Sequence, residues 1–338
     1  MNKEAVLKLK SLLSAPKKIV IVPHKNPDGD AMGSTLALYI YLKKTGHDAL
    51  VIAPNDYPKF LKWLPCEDTV LKYEHNKEEA NSKIAEADLI FTLDFNALSR
   101  TGEMGDVLQE ATADFVMIDH HQQPDDYAVV TYSDVTICAT SQMVYHTLEQ
   151  LEATDLIDKD MATCMYTGIM TDTGSFRFSS TTSETHRVIA HLIDHGADNA
   201  YIHEQIYDAN SFHRMQLLGK ALTNLTEVPG YKTAFITLTQ DELDTFNYQK
   251  GDTEGFVNYG LSLDGIKLAA IFIESRQDNI VKISLRSKGD FSVNEMARTH
   301  FSGGGHINAA GGKSDDSLAE TVAYFISILP QYKEALHE

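Results

Sequence analysis

His24, Asp28 and Asp30 fall within one short stretch, His24-Lys-Asn-Pro-Asp28-Gly-Asp30-Ala-Met-Gly33-Ser34. An imidazole and two carboxylates this close together can ligate divalent cations or move protons. The apolar run Lys18-Ile-Val-Ile-Val22-Pro precedes them and reads as a buried strand. The group therefore sits where a strand gives way to a helix, the place where open α/β sheets put their chemistry. Three further fragments repeat this arrangement: Leu93-Asp94 after Asp88-Leu-Ile-Phe-Thr, Asp119-His120-His121 after Phe115-Val-Met-Ile, and Thr171-Asp172-Thr-Gly174. Taken singly, each acid is also a reasonable surface or capping residue, and Asp28 and Asp30 would both cap a helix starting at Ala31. Taken together, acids and histidines at four element ends exceed what capping explains.

These side chains are enough for two metal ions. Paired hydrolytic ions lie about 3.5–4 Å apart, close enough for one carboxylate to bridge them. Asp94 stands alone at a strand end and is the expected bridge. His24 and Asp28 would complete one ion's ligands; Asp30, His120 and Asp172 would complete the other's. Oxygen and imidazole donors without thiolate suit Mn²⁺, with Mg²⁺ as its substitute, better than structural Zn²⁺.

The elements around these groups alternate. Strands are expected at Ile19–Pro23, Ala49–Ala53, Leu89–Asp94, Phe115–Asp119 and Ala128–Tyr132, with helices at Ala31–Lys44, Asn76–Glu86 and Met104–Ala111 between them. Continuous apolar strands alternating with helices imply a mostly parallel sheet with helices on both faces. One helical stretch follows from about Ser141 to Thr171 and another from Glu184 to His195. Gly196 ends this pattern, and two more helical segments are expected between Ala200 and Val228.

After Pro229-Gly230 the texture changes to strands at Thr233–Leu238, Lys267–Glu274 and Ile280–Leu285, with Asp278-Asn279 as a hairpin turn. Helices are expected near Asn294–His300 and Ser317–Ile328. The fold class is α/β: a catalytic domain over 1–195, a helical connector over 196–228 and a smaller α/β domain over 229–338.

Composition narrows the partners. A chain of 338 residues favours two domains over one core. Its net charge of −19 leaves no basic stripe for gripping long nucleic acid. The N-terminal segment from Met1 to Leu13 is amphipathic and lacks the apolar core of a secretion signal. No run approaches the ~18 apolar residues of a membrane span. Three scattered cysteines argue for a reducing, cytoplasmic setting and against a disulfide framework.

Ser302-Gly303-Gly304-Gly305-His306 is the second informative stretch. Successive glycines let backbone amides converge on an anion, with His306 at the edge; a flexible hairpin would use the same residues. Arg298, His300 and Lys313 could add positive charge nearby. Phe256, Tyr259 and Phe301 are base-stacking candidates for which core packing is the stronger expectation.

His24-x-x-x-Asp28-x-Asp30, Asp94, Asp119-His120-His121 and Gly168-Ile-Met-Thr-Asp172-Thr-Gly174 resemble the ordered motifs of the DHH phosphoesterase superfamily. The resemblance places metal ligands at His24, Asp28, Asp30, Asp94, His120 and Asp172. It implies that His121 contacts the substrate phosphate and that Asp119 orients or shares the metal site. The glycine-rich stretch resembles the GGGH loop of DHHA1 domains, which implies substrate binding by Arg286, Gly303, Gly304, Gly305 and His306. The closest architecture is the stand-alone group of oligoribonucleases acting on nanoRNA and phosphatases of 3′-phosphoadenosine 5′-phosphate.

The expected activity is thus metal-dependent hydrolysis of short single-stranded oligonucleotides or small nucleotides by a water activated at two ions. Long duplexes and membranes are not expected partners; a homodimer is left open. The alternatives are a cyclic di-AMP phosphodiesterase and an exopolyphosphatase or pyrophosphatase.

Overall fold

In the computed structural model, which describes residues 1–337, the chain divides into two units, one ending at Ala209 and one starting at Asn210. The first unit is built on a six-stranded sheet of β1 (Lys18–Val22), β2 (Asp48–Ala53), β3 (Leu71–Lys72), β4 (Leu89–Leu93), β5 (Asp114–Asp119) and β6 (Val130–Ser133). Their order is β3-β2-β1-β4-β5-β6, and every neighbouring pair is parallel. Helices cover both faces, so Ile19–Val22 and all of β4 are buried, which is why these strands read as unbroken apolar runs. Winding reverses between β1 and β4. Ligands of such sheets bind at that reversal, beyond the carboxyl ends of the strands.

Helices α1 (Lys3–Leu12), α2 (Gly29–Lys44), α3 (Lys77–Ala85) and α4 (Met104–Glu110) fill the first half of the unit. The helical stretch expected from 141 to 171 is two helices, α5 (Thr140–Gln150) and α6 (Lys159–Asp172). Glu152 adopts a left-handed φ of 59° after the first, and Asp158 caps the second by accepting from the Met161 amide at 3.0 Å. Helices α7 (Ser183–Asp194) and α8 (Asn199–His203) close the unit.

Two glycines set how closely α6 approaches α2. A β-carbon at Gly33 would overlap the Cys164 carbonyl oxygen, and one at Gly168 would overlap Ser141 and the Asp30 carboxylate. Without a side chain at either position, α6 lies against α2 and carries Asp172 toward the end of β1.

The second unit opens with α9 (Phe212–Thr223) and holds a sheet ordered β11-β12-β10-β9-β8-β7. Its strands are β7 (Thr226–Val228), β8 (Thr233–Leu238), β9 (Leu268–Ser275), β10 (Ile280–Ser287), β11 (Gly304–Gly305) and β12 (Ala309–Ser314). Only β8 and β9 pair in parallel; the other neighbours are antiparallel. The end of the expected connector is therefore strand, because Thr226–Val228 pairs with β8. Asn279, at φ 52°, turns the β9–β10 hairpin as expected.

Helices α10 (Gln240–Thr245), α11 (Val257–Leu261), α12 (Val293–His300) and α13 (Leu318–Ile328) flank this sheet. Phe256 and Phe301 are core residues here, while Tyr259 is exposed.

Candidate metal centre

His24 lies just past β1, Asp28 is the N-cap of α2, and Asp30 is in the first turn of that helix. The Asp28 carboxylate accepts from the amides of Asp30 and Ala31, both at 3.1 Å, so it caps the helix as well as facing the cluster. Asp94 follows β4 in a left-handed conformation, φ 66°, which a non-glycine residue holds only where surroundings enforce it. Asp119 ends β5, with His120 and His121 next, and Asp172 ends α6. The crevice between β1 and β4 thus gathers groups from both sides of the winding reversal.

Asp94, only 2% exposed, links two sets of donors. Its Oδ2 is 3.5 Å from His24 Nε2, which lies 3.9 Å from Asp28 Oδ2. Its Oδ1 is 3.4 Å from His120 Nε2. That nitrogen is also 3.4 Å from Asp172 Oδ2 and 3.9 Å from Asp30 Oδ2. One carboxylate therefore presents one oxygen to each set.

Burial and crowding shape the charges. Burial pushes the His24 imidazole down, but Asp94 and Asp28 beside it prevail and raise its pKa to about 9. His120 is raised well above the ordinary value, since Asp94, Asp172 and Asp30 outweigh its burial. Burial raises Asp172 to about 7, with Asp28 and Asp94 adding repulsion against the pull of His120. Asp30 is raised by burial and by its neighbours Asp94 and Asp172. Asp94 goes the other way: hydrogen bonds to His120 and His24 overcome its burial and hold it well below the carboxylate range.

This donor set fits divalent cations. His24 Nδ1 is 2.9 Å from the Lys25 carbonyl and His120 Nδ1 is 3.1 Å from the Ile137 carbonyl, contacts in which the imidazole N–H donates. Each Nε2 is then an acceptor facing carboxylate oxygens, which are also acceptors. A proton or a cation must stand between them. Metal-ligating histidines commonly fix their second nitrogen on a carbonyl in this way. Asp119 Oδ2 adds a buried carboxylate oxygen without a hydrogen bond among the described residues. Asp119 Oδ1 holds His121 Nδ1 at 2.7 Å.

In the second unit, β10 places Arg286 opposite Ala309, at the start of the hairpin that carries His306. The Arg286 guanidinium donates to the Leu285 carbonyl at 3.0 Å. The glycine-rich stretch forms a β-hairpin, with Gly304 and Gly305 paired to Gly311 and Ala310. The Gly303 amide donates to the Ala297 carbonyl at 3.2 Å and the Gly305 amide to Asn294 Oδ1 at 3.0 Å, so both are engaged within the unit. His300 is likewise no charge donor, because its nitrogens meet the Tyr324 and Tyr332 hydroxyls at 2.9 and 2.8 Å and burial lowers its pKa. Arg298 Nε donates to Asn294 Oδ1 at 3.3 Å, and Lys313 lies on β12.

Residues 18–169 match the DHH family, N-terminal domain, and residues 229–334 match the DHHA1 domain. Over 302 residues the chain is 33% identical to the bifunctional oligoribonuclease and PAP phosphatase NrnA of Thermus thermophilus, covering 87% of this chain and 83% of that protein. This chain belongs to the DHH family. The crystal structure of an exopolyphosphatase-related protein from Bacteroides fragilis superposes with a TM-score of 0.95 at 39% identity, over 100% of this chain and 98% of that one. The cyclic-di-AMP phosphodiesterase PdeA of Listeria monocytogenes is 25% identical over 96% of this chain but only 49% of its own length.

The DHH match spans His24 through His121, and Asp172 lies three residues beyond it. The DHHA1 match spans Arg286 and Gly303–His306. Sequence reasoning missed two participants in the DHH domain. The Thr140 and Ser141 amides, at the start of α5, donate to the Asp30 carboxylate at 2.6 and 2.8 Å, and Thr140 Oγ1 donates to Asp94 Oδ1 at 3.0 Å. The available signal was a run of small polar residues at a helix start. No helix among the described residues is long and apolar enough to cross a membrane.

Proposed function

We propose that this DHH phosphoesterase is a cytoplasmic hydrolase of short single-stranded oligonucleotides and small phosphorylated nucleotides, working with two divalent ions, Mn²⁺ ahead of Mg²⁺. The observation that carries the reading is Asp94, whose two oxygens face separate histidine–carboxylate sets. His24 and Asp28 would hold one ion; Asp30, His120 and Asp172 the other; Asp94 both. Such ions, when bound, supply a water ionised near neutral pH and offset phosphoryl charge.

The chain's own residues orient the reaction. Asp119 fixes the His121 ring through Nδ1, which directs Nε2 to the phosphoryl oxygens. Thr140 and Ser141 lock Asp94 and Asp30, so little reorganisation accompanies charge development. Within the DHHA1 domain, Arg286 and the Gly303–His306 hairpin are the groups assigned to substrate binding. Similarity over nearly full length to the Thermus oligoribonuclease, against half the length of PdeA, supports short linear substrates ahead of cyclic di-AMP.

The test is a chromatographic product profile on 5′-phosphorylated diadenylate with Mn²⁺. Mononucleotide release is expected. An intact substrate, from protein shown to bind Mn²⁺, would overturn the oligonucleotide reading in favour of phosphomonoesters or polyphosphate.

A further inference from the structure

The peptide between Lys25 and Asn26 carries a hydrogen bond on each side. Its carbonyl oxygen is 2.9 Å from His24 Nδ1, and its N–H donates to Asn55 Oδ1 at 2.7 Å. A trans peptide unit is planar, so a partner on the N–H fixes the direction of the C=O. Asn55 therefore sets the carbonyl that orients the His24 ring. Through that ring it also sets Nε2, which faces Asp28 and Asp94.

Asn55 is built into the fold for this contact. It lies two residues past β2, which pairs in parallel with β1, so it shares the carboxyl end of the sheet with the His24–Asp28 loop. It is 8% exposed. Its Nδ2 donates to Asn26 Oδ1 at 2.8 Å and to the Asp56 carbonyl at 3.1 Å. The two asparagines thus exchange two hydrogen bonds. Burying a side-chain amide is costly unless it is bonded, and here the bonds go to the loop and to the neighbouring backbone. Asp56 anchors the arrangement: its amide donates to Glu74 Oε1 at 2.6 Å, and its carboxylate pairs with Lys62 and, at 3.2 Å, with Lys72. On the other side of the loop, the Lys25 amide donates to the Arg100 carbonyl at 2.9 Å. Asn26 itself is left-handed, φ 56°, a conformation asparagine tolerates better than most residues.

The second donor set is held differently. The Asp30 carboxylate takes the Thr140 and Ser141 amides, and His120 Nδ1 meets the Ile137 carbonyl. None of these contacts involves the Asn26–Asn55 pair.

We propose that Asn55 is a positioning residue for one ion of the two, the ion that His24 and Asp28 would hold. This inference rests on the two-ion reading above and adds that separate scaffolds hold the two ions. Losing a supporting partner of a ligand costs metal affinity about 10–100-fold. Here that loss falls on a single ion.

The experiment titrates Mn²⁺ into the metal-free chain and follows binding by calorimetry. The wild type should take up two ions. In Asn55→Ala one Kd should rise about 10–100-fold, while the other keeps its wild-type value. In His24→Ala, which lacks the affected ion, adding Asn55→Ala should leave the remaining Kd unchanged. Asn26→Gly keeps the amide and accepts the left-handed φ without strain, but it loses one of the two bonds. The same ion should weaken there by a smaller factor, about 2–10. Asn26 is exposed, so this variant carries the test if Asn55→Ala does not fold.

Unchanged Kd values in both Asn55→Ala and Asn26→Gly would overturn the proposal. Equal weakening of both ions would also overturn it, since a general loosening of the fold produces that result. A wild type that binds no Mn²⁺ would overturn the two-ion reading and the proposal with it. A chain that shows the selective loss, yet leaves diadenylate intact, would support the positioning role while overturning the oligonucleotide reading.

Discussion

Asp119 Oδ1 accepts a 2.7 Å hydrogen bond from His121 Nδ1, and both residues are buried. The contact sets which nitrogen carries the ring proton and leaves Asp119 Oδ2 without a hydrogen bond among the described residues. A residue that orients another should affect turnover more than substrate affinity. Asp119→Asn keeps an acceptor for the imidazole but removes the charge. We expect kcat to fall about 10–100-fold, the range for losing such a supporting partner, with KM within a factor of a few. Steady-state kinetics on a short oligonucleotide decides it; a rise in KM at constant kcat would assign Asp119 to substrate binding instead.

Asp94 has the larger role. Replacing it with alanine removes the only side chain in contact with both His24 and His120 among the described residues. Activity should drop by at least ~10²-fold, because both donor sets lose their shared oxygen ligand. Metal analysis after dialysis should give fewer than two Mn²⁺ per chain. Wild-type stoichiometry with wild-type turnover, in a variant with an intact circular dichroism spectrum, would rule out a bridging role.

The sequence made the cluster legible because its members follow strands so thoroughly buried that their apolar runs are unbroken. Ile19–Val22 and Leu89–Leu93 left their chemistry-bearing neighbours, His24 and Asp94, plainly at strand ends. Backbone partners were harder to read: the only mark of the Ser141 amide that binds Asp30 is the run of small polar residues that starts α5. The break between α5 and α6 was also hidden, since Glu152 is an unusual residue for φ 59° and gives no turn signature. Gly304 and Gly305 read as a loop, whereas they pair with Gly311 and Ala310 as a short strand, because glycine carries no strand signal of its own. His300 promised charge on composition alone, but two tyrosine hydroxyls occupy its nitrogens.

Removing metal should destabilise the protein in a pH-dependent way. Burial raises the folded pKa of Asp172 to about 7, above its unfolded value, so its contribution to stability falls as pH rises from the unfolded value to about 7 and changes no further above that. His24, raised to about 9, contributes stability that is full below its unfolded value near 6.5 and lost as pH rises through 9. Both groups make the metal-free chain less stable from acid to alkaline pH. Binding of Mn²⁺ to the native state opposes this, by about 2.7 kcal/mol at a hundredfold excess over Kd. The Tm gain from Mn²⁺ over EDTA should therefore be larger at pH 8 than at pH 5.5. A gain that is absent, or constant across that range, would contradict the assignment of these buried groups as ligands.

Gly33 offers a test of how the fold positions the site without touching a donor. An added β-carbon would overlap the Cys164 carbonyl oxygen, which is backbone and cannot rotate away. The helices α2 and α6 must then separate, and α6 carries Asp172 at its end. Overpacking of this kind costs about 1–3 kcal/mol, which corresponds to a Tm lower by roughly 2–12 °C for a unit of this size. Because Asp172 moves with its helix, kcat should fall more than stability alone explains. Raising Mn²⁺ should recover part of the lost activity in Gly33→Ala by drawing Asp172 back toward its partners. Gly219→Ala serves as the comparison, since a β-carbon there meets nothing within 4 Å; it should leave both Tm and kcat near wild type. If Gly33→Ala behaved like Gly219→Ala, close packing of α2 on α6 would not be what places Asp172.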